Sequence, residues 1–215
     1  MSKIDTNLFD AKAAVKFIIA TDPILGEIIK KVGPFPVTPD KSQGPYHALI
    51  RSIVYQQLTG KAAGTIFKRV KDLFPHRSKF DPEEILKTPD KVFRSAGLSG
   101  AKTAAIKDLS AKHLEGIVPT RREINKMTNE EIIERLVQVR GIGPWTVEML
   151  LIFHIGRMDV LPSTDYGVRK GFALVYNKRK LPEPKELLKY GERWRPYRSV
   201  ASWYLWRALE LTDNT

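Results

Sequence analysis

The chain has 215 residues and no cysteine. That composition excludes a disulfide scaffold, a Cys-ligated zinc site, a thiol nucleophile and a cysteine-held iron–sulfur cluster. The 36 basic and 24 acidic residues leave a net charge of +12, which points to a polyanionic partner, nucleic acid first. With 42% hydrophobic and 28% charged residues, the balance is that of a globular protein with an ample core. Apolar runs such as residues 149–153 are too short to span a bilayer. The opening Met-Ser-Lys-Ile-Asp carries no signal-peptide core. An intracellular protein with no membrane contact is expected: cytoplasmic in a bacterium or archaeon, nuclear in a eukaryote.

Taken in order, the elements read as helices. Asp22-Pro23, Asp81-Pro82 and Thr88-Pro89 each pair an N-cap residue with proline at the first helical position. Only residues 34–37 suggest a strand. Thr120 with Glu123, and Thr128 with Glu131, fit the capping-box spacing, and Asp81 with Glu84 is a looser case. Ile132, Ile133, Leu136 and Val137 make one helical stripe, as do Val200, Trp203 and Tyr204. These signals predict an all-α fold of about ten helices. Loops are expected near 34–44, 57–60, 97–101, 140–143, 157–165 and 178–183. No repeat and no composition break divides residues 1–215. The expectation is one compact domain, a bundle of two helical lobes with a helix-hairpin-helix at the cleft between them. Charge is uneven: residues 166–198 hold ten basic and three acidic residues, +7 of the +12.

Residues 131–156 contain Leu136-Val137-Gln138-Val139-Arg140-Gly141-Ile142-Gly143-Pro144-Trp145-Thr146-Val147-Glu148-Met149. A helix runs into a tight Gly-x-Gly hairpin, and a second helix opens at Pro144. Glycines free the backbone to turn and to approach a partner closely. Amides exposed at a helix N-terminus suit a phosphate. A second helix from Pro144 to Gly156 would be about 20 Å long, and the eight residues 157–164 can extend over about 26 Å. If they fold back, Asp165 returns to the level of Trp145. On spacing alone, Asp165 is either the N-cap of the next helix or a functional carboxylate. The four histidines, His47, His76, His113 and His154, show no metal-ligand spacing and read as packing or surface residues.

The string from Gly141 to Thr146, followed by Pro162-Ser163-Thr164-Asp165-Tyr166-Gly167, resembles the HhH-GPD superfamily of DNA glycosylases. Three further segments resemble its 3-methyladenine DNA glycosylase II (alkylbase) branch. They are Tyr46 to Leu58 with Lys61-Ala62-Ala63, Gly97-Leu98-Ser99 with Lys102, and Arg193-Trp194-Arg195-Pro196-Tyr197-Arg198-Ser199 through Trp206. The resemblance runs from about residue 40 to 210. It implies a monofunctional enzyme that flips a damaged nucleotide out of double-stranded DNA and hydrolyses its N-glycosidic bond in base excision repair. An N-alkylated purine is a good leaving group, so the enzyme must chiefly stabilise the cationic sugar. The resemblance gives that task, and the orientation of the attacking water, to Asp165.

It also implies an aromatic wall for the base. Trp145 stands where lyase-competent members place a lysine nucleophile, and indole cannot form a Schiff base. Its alternative is a core aromatic. Trp206, at the end of the C-terminal signature, and Met149, one turn beyond Trp145, complete the implied base pocket. The implied DNA contacts are Gln56, Gln57, Leu58, Thr59, Lys61, Gly97, Leu98, Ser99, Lys102, Gly141, Ile142, Gly143 and Thr146. Gln56 and Gln57 either touch DNA or brace their loop. Leu58, Thr59 and Leu98 are candidates for the wedge that fills the gap left by the flipped base, whereas Gly100 is too small. No cofactor is required. The family's monovalent cation, Na+ or K+, would lie on the backbone carbonyls of Val137, Val139 and Ile142. A monomer is expected. One rival reading is a non-catalytic helix-hairpin-helix module; Asp165 argues against it. The other, a glycosylase/lyase for oxidised bases, is opposed by Trp145 and the lack of cysteine.

Overall fold

The computed structural model describes residues 10–40, 43–75 and 79–212. His76, one of the four histidines considered above, lies outside them. The regular structure among the described residues is all helical, with no strand among them. Among the described residues there are thirteen α-helices, with one π-helical and one 3-10 segment. Residues 34–37, expected to be extended, are irregular; Phe35 anchors them by packing edge-on to Trp203, 5.2 Å between ring centroids. The described residues divide into two compact units, one within residues 40–150 and the other built from residues 10–39 together with residues 151–212.

The first unit holds α3 (Pro45–Tyr55), α4 (Gly60–Asp72), α5 (Pro82–Lys87), α6 (Asp90–Ser95), α7 (Gly100–Leu114), α8 (Arg121–Ile124), α9 (Asn129–Leu136) and α10 (Pro144–Met149). Helix α7 packs on both α3 and α5. Tyr46 of α3 and Ser110 of α7 share a buried hydrogen bond of 2.7 Å, and burial pushes the Tyr46 hydroxyl up to about 12. Both capping boxes form as their spacing predicts: Thr120 and Thr128 each accept from an N3 amide, and Glu123 and Glu131 reach back. Asp81 caps α5 by accepting from the amides of Glu83 and Glu84. Thr88-Pro89 departs by one residue. Thr88 donates its hydroxyl back to the Glu84 carbonyl at 2.8 Å, which leaves Pro89 as the cap of α6.

The second unit holds α1 (Ala11–Thr21), α2 (Pro23–Val32), the π segment (Leu150–Ile155, from Leu151 on), α11 (Tyr166–Val175), α12 (Pro184–Gly191), a 3-10 turn (Glu192–Trp194) and α13 (Arg198–Thr212). Helices α11 and α13 touch at the backbone. A Cβ on Gly171 would lie 2.0 Å from the Leu205 carbonyl oxygen, so no other residue fits there without parting the helices. Asp22, 1% exposed, fastens α1 and α2 to the rest. Its carboxylate caps α2 through the Leu25 amide at 3.2 Å. It also accepts from the Tyr176 hydroxyl at 2.7 Å and from the Trp194 indole N–H at 2.9 Å. Burial first, and then this carboxylate, drives the Tyr176 hydroxyl far above its ordinary value.

Candidate active site and nucleic-acid interface

The hairpin lies in the first unit. Helix α9 ends at Leu136, and the chain turns through two tight bends in which Val139 N–H donates to Leu136 and Ile142 N–H donates to Val139, both at 3.1 Å. Gly141 takes a positive φ of 76°, a conformation natural to glycine. Gly143 does not: at φ −103° it is the extended N-cap of α10, exposed and with open space where a Cβ would stand. Val139 and Ile142 bury their side chains, so only their backbones face outward chemistry, and Val137 is 37% exposed. The Arg140 amide donates to Asp108 at 2.7 Å, a carboxylate also gripped by Lys112 and held below its ordinary pKa by those hydrogen bonds against the effect of burial.

Two motifs 85 residues apart meet here. The Gln56 side-chain amide donates to the Gly141 carbonyl at 2.9 Å, so Gln56 braces the hairpin. Gln57, Leu58 and Thr59 are exposed beyond the end of α3, and Gln57 is held at φ +56°, a left-handed turn uncommon for a residue with a side chain. Lys102 is committed to the chain itself. Its ammonium donates to the carbonyls of Val54 at 2.8 Å and Gln56 at 2.7 Å, closing the C-terminus of α3, and burial lowers its pKa. Ser99 caps α7 by accepting from the Lys102 amide, and Gly97 turns at φ +101°. Leu98 is buried, 3% exposed. It is core, which corrects its candidacy as a wedge. Lys61 is exposed and has no ion pair.

An open cavity of about 750 Å³ lies in the same unit. It is lined by Trp145, Thr146 and Met149 and by residues 56–59 with Arg51, Ser52 and Tyr55. Trp145 is 46% exposed and is therefore no core residue, whereas Thr146 is buried. Sequence reasoning missed Arg51 and Tyr55. The guanidinium of Arg51 lies 4.0 Å from the Tyr55 ring centroid, a pairing that their i, i+4 spacing on α3 could have disclosed.

The second helix of the motif is not the straight helix expected from Pro144 to Gly156. It gives way at Leu150 to π geometry, closed where the amides of Gly156 and Arg157 both reach the Leu151 carbonyl. Such wide turns mark functional stretches in many helices. In the second unit, Asp165 is the N-cap of α11, accepting from the Val168 amide at 2.7 Å. The same oxygen accepts the Trp206 indole N–H at 2.8 Å. Trp206, half-buried, also meets Phe153 at 5.8 Å between ring centroids. Cap and tryptophan partner are thus one carboxylate. Gly167 permits this: a Cβ there would lie 2.8 Å from the Trp206 ring and 3.1 Å from the Asp165 oxygen. Among the described residues no cluster of His, Asp and Glu could hold a metal ion. Among the described residues no helix is long and apolar enough to cross a membrane. His47, His113 and His154 pack as expected: His47 accepts the Phe80 amide at 2.7 Å, His113 stacks on Tyr46 and His154 is buried.

The sequence profile of the HhH-GPD superfamily base excision DNA repair proteins matches residues 50–196. DNA-3-methyladenine glycosylase 1 of Schizosaccharomyces pombe is 39% identical over 189 residues, covering 87% of this chain and 83% of its own. A solved structure of the S. pombe 3-methyladenine DNA glycosylase in complex with abasic DNA superposes with a TM-score of 0.82 and 36% identity, over 95% of this chain and 100% of that one. A DNA-3-methyladenine glycosidase from Bacillus halodurans superposes equally well, TM-score 0.82 with 33% identity, over 94% of this chain and 91% of its own. Hairpin, π turn and indole-bound carboxylate therefore sit in a chain that belongs to the HhH-GPD superfamily of base excision DNA repair proteins.

Proposed function

We propose that this protein is a monofunctional DNA glycosylase that hydrolyses the N-glycosidic bond of alkylated purines, of the 3-methyladenine type, in base excision repair. The chain acts as a single catalytic domain and as a monomer on damaged double-stranded DNA. It works inside the cell, in the cytoplasm of a bacterium or archaeon or the nucleus of a eukaryote. The observation that carries the reading is Asp165, a half-buried carboxylate oriented at once by a helix N-terminus and by the Trp206 N–H.

The residue roles follow. The negative charge of Asp165 stabilises the oxocarbenium-like sugar and orients the attacking water. Trp145 and Met149, together with Trp206, present flat or polarisable faces to a base, and indole favours a cationic one. The hairpin amides from Gly141 to Gly143 grip phosphate, with Lys61 adding charge. Leu58, 40% exposed at the loop tip, serves as the wedge, with Gln57 and Thr59 beside it. Gln56, Gly97, Ser99 and Lys102 act by holding that loop and the hairpin in place. The carbonyls of Val137, Val139 and Ile142 are hard oxygen donors of the kind Na+ or K+ takes, and Val139 already accepts one hydrogen bond from within the hairpin. A cation there would fix the hairpin and take no part in the chemistry.

The test is Asp165→Asn. Asn is a good N-cap and its oxygen can accept both bonds, so melting temperature and DNA binding should hold. Single-turnover excision of methylated purines should fall about 10²–10³-fold. A folded variant excising near the wild-type rate would return the non-catalytic module to first place. Borohydride should trap no protein–DNA adduct while free base is still released, since Trp145 offers no amine.

A further inference from the structure

The hairpin between Leu136 and Pro144 spends most of its amides on the chain itself. Val139 N–H donates to Leu136, Ile142 N–H to Val139, and Arg140 N–H to the Asp108 carboxylate. Within residues 139–143 this leaves the Gly141 and Gly143 amides without an acceptor among the described residues, and both glycines are exposed. They are the pair free to meet a phosphate. Helix α7 backs this arrangement. A Cβ on Gly141 would lie 3.4 Å from that of Ala105, so the turn rests against α7. One turn further along the same helix, Asp108 takes the Arg140 amide at 2.7 Å. Lys112 donates to both oxygens of that carboxylate, at 2.7 and 2.8 Å, which steadies the acceptor and offsets its charge. From the end of α3, Gln56 holds the neighbouring Gly141 carbonyl at 2.9 Å.

We propose that Asp108 is a positioning residue for DNA binding: by taking the Arg140 amide onto α7, it sets the turn that leaves the Gly141 and Gly143 amides for a phosphate. This rests on the phosphate-gripping hairpin of the glycosylase reading above. Charge and geometry make opposite demands on this residue. A carboxylate beside a polyanion repels it, so by charge alone removing Asp108 should tighten binding. Aiming the hairpin works in the other direction. Without an acceptor on α7, the Arg140 N–H must find another partner, and the turn that frees the two glycine amides loses its anchor. The anchor needs an oxygen and no charge, which asparagine supplies and leucine does not.

The experiment measures affinity for an undamaged duplex over a range of salt, for the wild type, Asp108→Asn, Asp108→Leu and Asp108→Ala, each well below its melting temperature. The three variants lose the same charge, so they differ from one another in the acceptor. The Asn variant should bind as tightly as wild type or more tightly. The Leu variant should bind about tenfold more weakly than the Asn variant, with a slope against the logarithm of salt shallower by about 0.9, one phosphate contact. Asp108→Ala carries the same comparison if the Leu variant does not fold. Equal affinities and slopes in the Asn and the acceptor-free variants would overturn the proposal. If all then bind more tightly than wild type, Asp108 is a repelling surface charge; if only the melting temperature separates them, its role ends at stability. Wild-type protein whose affinity for duplex DNA does not change with salt would instead overturn the phosphate-gripping hairpin, with all that rests on it.

Discussion

His47 is a buried imidazole that must stay neutral to do its work. Its ring accepts the Phe80 amide and stacks on the Phe80 side chain, and burial, then Lys79, Lys71 and His113, bring its pKa down to about 4. An unfolded histidine takes up its proton near pH 6.5. Its contribution is therefore whole above that pH and drains away as the pH falls toward 4, by about 2–3 kcal/mol. Denaturant unfolding from pH 7 to pH 4 should show this slope, and His47→Gln should flatten it whatever it does to the plateau. Asp22 makes the opposite demand, since it must keep its oxygens. Asp22→Ala would strand the Tyr176 hydroxyl and the Trp194 N–H and uncap α2. A loss of about 3 kcal/mol or more is expected, read as a lower urea midpoint.

Helix α3 and the loop behind it show how an element is finished by residues from elsewhere. Lys102→Met removes two carbonyl partners from the end of α3. It should lower stability by about 1–2 kcal/mol and slow excision, yet leave the salt dependence of DNA binding unchanged, because this lysine faces no phosphate. The sequence signals that succeeded were local: Asp22, Asp81, Thr120 and Thr128 each announce a helix start within three residues, and each start is where they say. Asp165 too was legible as a cap, with its catalytic role carried by family resemblance. The bond from Gln56 to Gly141, the partners of Lys102 and the Trp206 donor to Asp165 were not legible. They join residues tens of positions apart, where periodicity and capping rules carry no information. The π segment escaped for another reason: an apolar run of six residues reads alike at 3.6 residues per turn and at a wider one.

At the scale of the molecule, the basic stretch divides in two. Arg195 and Arg198 close on Asp159 at 2.7 and 2.5 Å, Lys178 pairs with Glu186, and Arg169 donates to the Pro182 carbonyl. Lys170, Arg179, Lys180, Lys185 and Lys189 stay exposed with no ion pair. Net charge thus overstates what this stretch offers DNA. Affinity for duplex DNA should fall linearly with the logarithm of salt, by about 0.9 per phosphate neutralised. Lys185→Gln with Lys189→Gln should make that slope shallower. Arg198→Met should not; it should instead cost about 1–3 kcal/mol of stability, because it deprives the mostly covered Asp159 of its best partner. Titrations at several ionic strengths, with melting curves on the same proteins, separate the two groups.

Among the described residues, the second unit is assembled from two separate stretches, 10–39 and 151–212, while the first is drawn from residues 40–150 alone. Emergence from the ribosome is therefore not neutral between them. Residues 40–150 can complete their contacts while synthesis continues. Helices α1 and α2, made first, must wait: Asp22 meets Tyr176 only after 154 further residues and Trp194 after 172. At bacterial elongation speeds that is a delay of about ten seconds or more. Through that interval the apolar faces of two newborn helices lack their partner, and a chaperone that shields them is the natural companion of this topology. Nascent chains stalled once residue 150 has cleared the exit tunnel, but before residue 194 has, should resist protease over the first unit and remain cleavable in α1 and α2.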